Sequence, residues 1–273
     1  MAVSRILTHL LTIFLLAGTT LLLVFVVLSG ASDHFPFNKF YWLEADTTKI
    51  TGDVSRWTFW GICNPSGNTN GNCTSSGPDF PLSPVDNFGT TKGLPTDFVD
   101  NRDVYYYLTR FSFPFILISL CFTGVALICS LFSFCWNAMR TVLVFFVCAA
   151  LLFAAAGVSL ETAAVVLARN AFKDDGISQS LGASMLGISW GAVAALIVIY
   201  FLVCCSTLTR AYKTHKQHQQ AISATQETQE LQQPYLGTST TGQNQGTLPP
   251  PASDGGIRFF KIRKDKATDE ESI

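Results

Sequence analysis

Residues 111–136 read FSFPFILISLCFTGVALICSLFSFCW, without one charged side chain. A helix rises about 1.5 Å per residue, so this run outspans the roughly 30 Å hydrocarbon core of a bilayer. Three other stretches of the 273-residue chain share its character. Residues 6–32 carry no charge apart from His9, residues 141–163 are apolar until Glu161, and residues 181–205 are clean. Backbone polar groups in lipid must bond within their own segment, so helices are the expected form.

The composition agrees with this reading. Charged residues make up 14% of the chain, against about 25% in soluble globular proteins. Lysine and arginine number 18 and acids 19, for a net charge of −1, and the mean hydropathy is +0.32. The deficit of charge is concentrated in the four runs. That argues against a soluble enzyme, a small disulfide scaffold and a nucleic-acid binder with a basic footprint. Ser29-Gly30-Ala31 would serve as a secretory cleavage site, but residues 6–28 are longer than the about 7–15 apolar residues of a signal core. The first run is therefore read as a retained span.

Orientation follows from the excess of basic residues on cytoplasmic flanks. Arg5, Arg140 and the group Arg210, Lys213 and Lys216 all lie on one face without acids nearby. The loop of residues 33–110 instead mixes six basic with nine acidic residues, so it is placed outside. The expected division is a cytoplasmic stub 1–5, spans 6–32, 111–136, 141–163 and 181–205, an extracellular loop domain 33–110, a cytoplasmic turn 137–140, a second extracellular loop 164–180 and a cytoplasmic tail 206–273. The fold class is an all-α membrane protein. A four-helix transmembrane bundle carries a small β-rich, disulfide-stapled extracellular domain in the first loop and a disordered tail.

A loop of this length needs structure of its own. The aromatic stretches Lys39-Phe40-Tyr41-Trp42-Leu43 and Trp57-Thr58-Phe59-Trp60 read as strands. Residues 64–84, rich in Asn, Gly, Ser and Pro, read as turns and loop. Cys63 and Cys73 are the only cysteines of this loop. A pair in an oxidising compartment reads as a disulfide rather than as a zinc site, which would lack two ligands. Asn72-Cys73-Thr74 is the one glycosylation sequon, and a disulfide at its middle position would compete with glycan transfer at Asn72.

Trp57, Trp60 and Gly61, followed by Cys63 and Cys73, resemble the signature of claudin-type four-span proteins. The chain as a whole resembles the fungal Sur-seven/PalI family, and the Sur-seven branch more than PalI. The resemblance rests on Ser29-Gly30-Ala31-Ser32-Asp33-His34, Arg56-Trp57-Thr58-Phe59-Trp60-Gly61 and Ser83-Pro84-Val85-Asp86-Asn87-Phe88. It extends to Tyr106-Tyr107-Leu108-Thr109-Arg110-Phe111, Asn170-Ala171-Phe172-Lys173-Asp174-Asp175 and Leu181-Gly182-Ala183-Ser184-Met185. It implies residence in plasma-membrane domains organised by eisosomes, with roles in membrane organisation, endocytosis and cell-wall integrity. It also implies an eisosome BAR-domain scaffold and other four-span family members as partners, and a cell-wall contact by the outer loop. A PalI-like sensor subunit for ambient pH is the alternative function, and a small transporter the third.

Within the bundle, Ala183, Gly187, Gly191 and Ala195 recur every fourth residue and present one small-residue face. Packing inside the bundle is the preferred reading of that face over self-association. Ala149, Ala150, Ala154 and Gly157 make the third span its natural neighbour. Counted from Thr141, Glu161 falls near the outer headgroups, where it would reach water, with Arg110 and Arg169 as possible partners. No catalytic constellation, phosphate-binding loop or cofactor motif is present in the sequence, so none is expected. Cys135, Cys204 and Cys205 lie at cytoplasmic span ends, where palmitoylation and plain packing are both open readings.

Residues 217–256 carry few bulky apolar side chains and are expected to be disordered. After them Arg258, Lys261, Arg263, Lys264 and Lys266 interleave with Phe259 and Phe260. Basic and aromatic side chains on a flexible tether suit contact with anionic lipid or a scaffold at the cytoplasmic face.

Overall fold

The computed structural model describes residues 2–32, 34–133 and 138–231. In chain order it contains α1 (Ala2–Val27), a 3-10 turn (Phe37–Lys39), β1 (Leu43–Ala45), α2 (Thr48–Thr51), β2 (Ser55–Thr58), β3 (Gly61–Ser66) and β4 (Thr69–Ser75). Then follow α3 (Pro84–Phe88), α4 (Thr96–Asp100), α5 (Arg102–Phe132), α6 (Ala138–Asp174), β5 (Gln179–Leu181) and α7 (Ala183–Leu231). Four helices are long and apolar enough to cross a bilayer, over Ile6–Val27, Arg102–Phe132, Met139–Asp174 and Ala183–Thr209. The protein is a multi-pass membrane protein.

Hydroxyls inside these helices donate back to their own turn, which satisfies them in lipid. Thr12, Thr19 and Thr20 do so in α1 at 2.8–2.9 Å, and Ser189 does so in α7 at 2.8 Å. Pro114 sits inside α5, as membrane helices tolerate. Helix α5 packs against both α1 and α6. The contact with α6 is close because α6 presents small residues there. Ser119 donates to the carbonyl of Ala150 at 2.8 Å, and a Cβ added to Gly157 would fall 2.8 Å from Ile116. The small residues of the third span thus serve α5.

The helices outrun the expected spans at the end that carries the sheet. Helix α5 begins at Arg102, ahead of 111, and α6 continues to Asp174, past 163. Helix α7 also runs on to Leu231, into the stretch from 217 read as disordered. Gln, Ala and Glu, frequent there, are good helix formers.

The sheet is antiparallel, in the order β4-β3-β2-β1-β5. Three readings of the sequence need correction. Of residues 57–60 only Trp57 and Thr58 belong to a strand, β2, and Phe59 and Trp60 turn the chain into β3. Residues 39–43 are not a strand, apart from Leu43 at the start of β1. Residues 64–84 are not all loop, since β3 and β4 form a hairpin with Ser66 opposite Thr69. Gly67, at φ 61°, opens its two-residue turn and takes the left-handed backbone that such turns need. Strand β5 comes from the loop between α6 and α7 and pairs Leu181 with Leu43.

The sheet joins the helices through one continuous core. Trp42, Trp57, Phe59, Phe98, Tyr105 and Phe172 are each at most 2% exposed. Phe172 of α6 lies 4.7 Å from Phe98 and 5.9 Å from Trp57, and Phe59 lies 5.2 Å from Phe113 of α5. Such ring pairs add about 0.5–1.5 kcal/mol each beyond their buried area.

Two close approaches fix the sheet onto the helix ends. A Cβ on Gly182 would stand 1.7 Å from the carbonyl oxygen of Tyr41, and one on Gly30 would stand 2.2 Å from the Thr58 hydroxyl. Gly182→Ala should therefore destabilise the fold by about 3 kcal/mol, as overpacking does. Gly187→Ala, where a Cβ meets nothing within 4 Å, should be close to neutral. Thermal unfolding of the two purified variants in detergent checks the difference.

Candidate functional site

The residues singled out for their resemblance to a family motif converge at the junction of the sheet and the bundle. Cys63 and Cys73 are joined as a disulfide between β3 and β4. Register places Ile62 opposite Thr74 and Asn64 opposite Gly71, so Cys63 faces both Asn72 and Cys73. That is a one-residue bulge on β4, and Asn72 takes the left-handed backbone there at φ 43°. Asn72 is exposed, and the staple sits beside it.

The tryptophans are structural anchors. Trp57 donates its indole N–H to the Asn87 Oδ1 at 2.8 Å, which ties β2 to α3. Trp60 donates to the carbonyl of Val27 at 2.8 Å, which satisfies an acceptor left free at the end of α1. Gly61 opens β3 directly opposite Thr58.

Arg56 was not singled out by sequence reasoning beyond its place in a matched stretch, yet it is the hub of the sheet. It pairs across strands with Glu44 at 2.5 Å, and donates to the carbonyl of Thr69 at 2.9 Å. Its guanidinium lies 4.6 Å from the centre of the Tyr41 ring. A planar fork satisfies these partners in a way that an ammonium could not. Its alternation with Trp57 along a strand was the available signal.

Two further ion pairs link the loop to the start of α5. Arg102 grips both oxygens of Asp86. That hydrogen bonding holds the Asp86 carboxyl below the usual aspartate range. Arg110 pairs with Asp79 at 3.0 Å, but burial still pushes the Asp79 carboxyl up.

The placement of Glu161 at a wet interface is corrected. It is 2% exposed and accepts a hydrogen bond from Ser112 of α5. Arg110 is committed to Asp79 instead. The sheet covers the helix ends, so protein rather than headgroups and water surrounds this depth.

The small-residue face also needs correction. Ala183, Gly187 and Gly191 are exposed and Ala195 is half-buried, so the face looks out from the bundle rather than into it. The side of α7 that packs inward carries Met185, Ala192, Leu196 and Ile199. Cys204 is half-buried and Cys205 exposed. Cys135 and the tail residues Arg258, Phe259, Phe260, Lys261, Arg263, Lys264 and Lys266 lie outside the described residues. Among the described residues, no three His, Cys, Asp or Glu side chains group as metal ligands would.

The chain has relatives with the same pattern. A family model described as the SUR7/PalI family matches residues 8–202. Protein SUR7 of Candida albicans is 45% identical over 269 residues, which cover 96% of this chain and 97% of that one. Protein SUR7 of Saccharomyces cerevisiae is 44% identical over 204 residues, covering 74% and 68%. A protein of the same yeast named "Uncharacterized plasma membrane protein YNL194C" is 31% identical over 217 residues, covering 75% and 69%.

Two outcomes are expected at this site. Cys63→Ser and Cys73→Ser should each destabilise the fold by about 2–3 kcal/mol, and to the same degree, since either removes one staple. Thiol alkylation before and after reduction reads the bond, and surface yield reads the loss. For Asp86, the folded carboxyl titrates below the unfolded value of about 3.9, so its contribution is present above that pH and lost as pH falls through the folded value. Melting temperatures measured across pH should show Asp86→Asn less stable than wild type near neutrality, with the difference closing below about pH 4.

Proposed function

The chain belongs to the SUR7/PalI family, and from that premise we propose that it acts without catalysis as a component of a plasma-membrane domain of the eisosome type. In this role it contributes to membrane organisation, endocytosis and cell-wall integrity. The observation that carries the reading is the single core that unites a stapled sheet with four spanning helices. Such a core suits a rigid element of a membrane assembly. The plasma membrane as its location is supported by the printed name of the YNL194C relative.

The disulfide and the basic residues Arg140 and Lys213 at the far end support a sheet outside the cell and both termini in the cytoplasm. The proposed partners are anionic lipid at the cytoplasmic face, a BAR-domain scaffold, other four-span family members and, through the outer sheet, the cell wall.

Live imaging of a copy tagged at Ile273, with an epitope inserted at the Gly67-Asn68 turn, tests this reading. Stable cortical patches, an epitope accessible on wall-stripped intact cells and a tag accessible only after permeabilisation are expected. A uniform or endosomal signal with normal topology overturns the domain role. Reversed accessibility overturns the orientation.

A further inference from the structure

At the end of the bundle far from the sheet, the described helices border a half-open cavity of about 290 Å³. It is walled by the first turns of α1, the last turns of α5, the start of α6 and the part of α7 around Thr209. Its lining differs from the rest of the spanning region in bringing fixed cations to one place. Three basic side chains, His9, Arg140 and Lys213, reach it, and among the described residues no carboxylate lines it. Several Ser and Thr hydroxyls stand in the remaining wall, but most of its surface is apolar, with Leu143, Leu202 and Val203 among the side chains that form it.

The depth is informative. Spanning segments begin at Ile6 and Met139 and end at Phe132 and Thr209. Arg140 is the third residue of α6 and Lys213 lies one turn beyond Thr209, so these two cations stand at the rim, while His9 and Leu143 lie about one turn inside their spans. A membrane places anionic phosphate at such a rim and acyl chains beneath it.

The hydroxyls are held on acceptors of their own helices. Thr12 donates to the carbonyl of Thr8 at 2.9 Å and Ser206 to that of Val203 at 2.8 Å. Ser133, 2% exposed, donates to the carbonyl of Ser130 at 2.9 Å and lies 2.6 Å from the Nε2 of His9. Each can exchange a carbonyl for a phosphate oxygen, which is a stronger acceptor because it is charged. A zwitterionic choline headgroup would instead bring a further cation beside Arg140 and Lys213.

We propose that this cavity binds the phosphate of an anionic glycerophospholipid, with Arg140 and Lys213 as its cationic partners, His9 as a hydrogen-bonding partner beneath them, and the acyl chains passing out beside Leu202. The site is separate from the basic tail segment. In the cell its placement in the inner leaflet rests on the orientation proposed above, but its chemistry does not.

The test uses the purified full chain, with Arg258, Lys261, Arg263, Lys264 and Lys266 replaced by Gln so that the tail contributes nothing. Binding is read by thermal shift and native mass spectrometry in detergent micelles, where orientation does not enter. The probes are phosphatidic acid, phosphatidylcholine and inorganic phosphate. Phosphatidic acid should bind at one saturable site and raise the melting temperature, and phosphatidylcholine should not. Arg140→Gln and Lys213→Gln should each weaken binding roughly tenfold, as loss of one charged partner does, and Arg140→Lys should recover part of it.

Ser206→Leu fills the cavity and leaves every charge in place, so it should abolish the site. Its unliganded melting temperature shows that it folds. Equal binding by Ser206→Leu, or by the Arg140→Gln/Lys213→Gln double variant, overturns the proposal in favour of general surface attraction. Equal stabilisation by phosphatidylcholine overturns it also. Saturation by inorganic phosphate at the same concentration as phosphatidic acid overturns the lipid as ligand.

Discussion

The packing of Phe172 against Trp57 and Phe98 is the contact on which the sheet-bearing half of the molecule depends. The sheet has only short strands, and β1 and β5 are three residues each. Small sheets bury too little apolar area to stand alone. Here the missing half of the core comes from helices that extend past the apolar spans. Helix α6 carries Phe172 and α5 carries Tyr105 and Phe113, all buried. The sheet and the bundle are therefore one folding unit, and the spans position the sheet as directly as the sheet covers the spans.

This dependence explains why polar groups are tolerated near the helix ends. Glu161 and Ser112 meet between α6 and α5 beneath the sheet, where each supplies the other with a partner. A buried polar group is costly when unpaired and cheap when paired. The same logic places the indole of Trp60 on the carbonyl of Val27, where an apolar helix ends among side chains rather than in water.

Much of this was legible in the sequence, because spans declare themselves by absence of charge and a lone pair of loop cysteines has few other readings. The hairpin was missed although Gly67-Asn68 is a turn signal, because the flanking Asn and Gly have low strand propensity. Its register is held by the disulfide and by pairing with β2 instead. Strand β5 left no trace, since Gln179-Ser180-Leu181 is too short to show alternation and acquires its conformation from β1. Glu161 was misplaced because counting residues from Thr141 gives depth in a bilayer but not what covers the helix at that depth. The four-residue period of Ala183, Gly187, Gly191 and Ala195 identified a face correctly, while periodicity carries no information about which way a face points.

The sheet has a mechanical consequence. Each helix is attached to it by a different device: α1 through Trp60 and Gly30, α5 through Phe113, α6 through Phe172, and α7 through β5 and Gly182. The four rods are clamped at one end by a common plate. A load applied to the plate is shared among all four at once, and none can tilt without dragging the others. The compliance of the molecule is then left at the unclamped end, where small changes of tilt translate into the largest displacements.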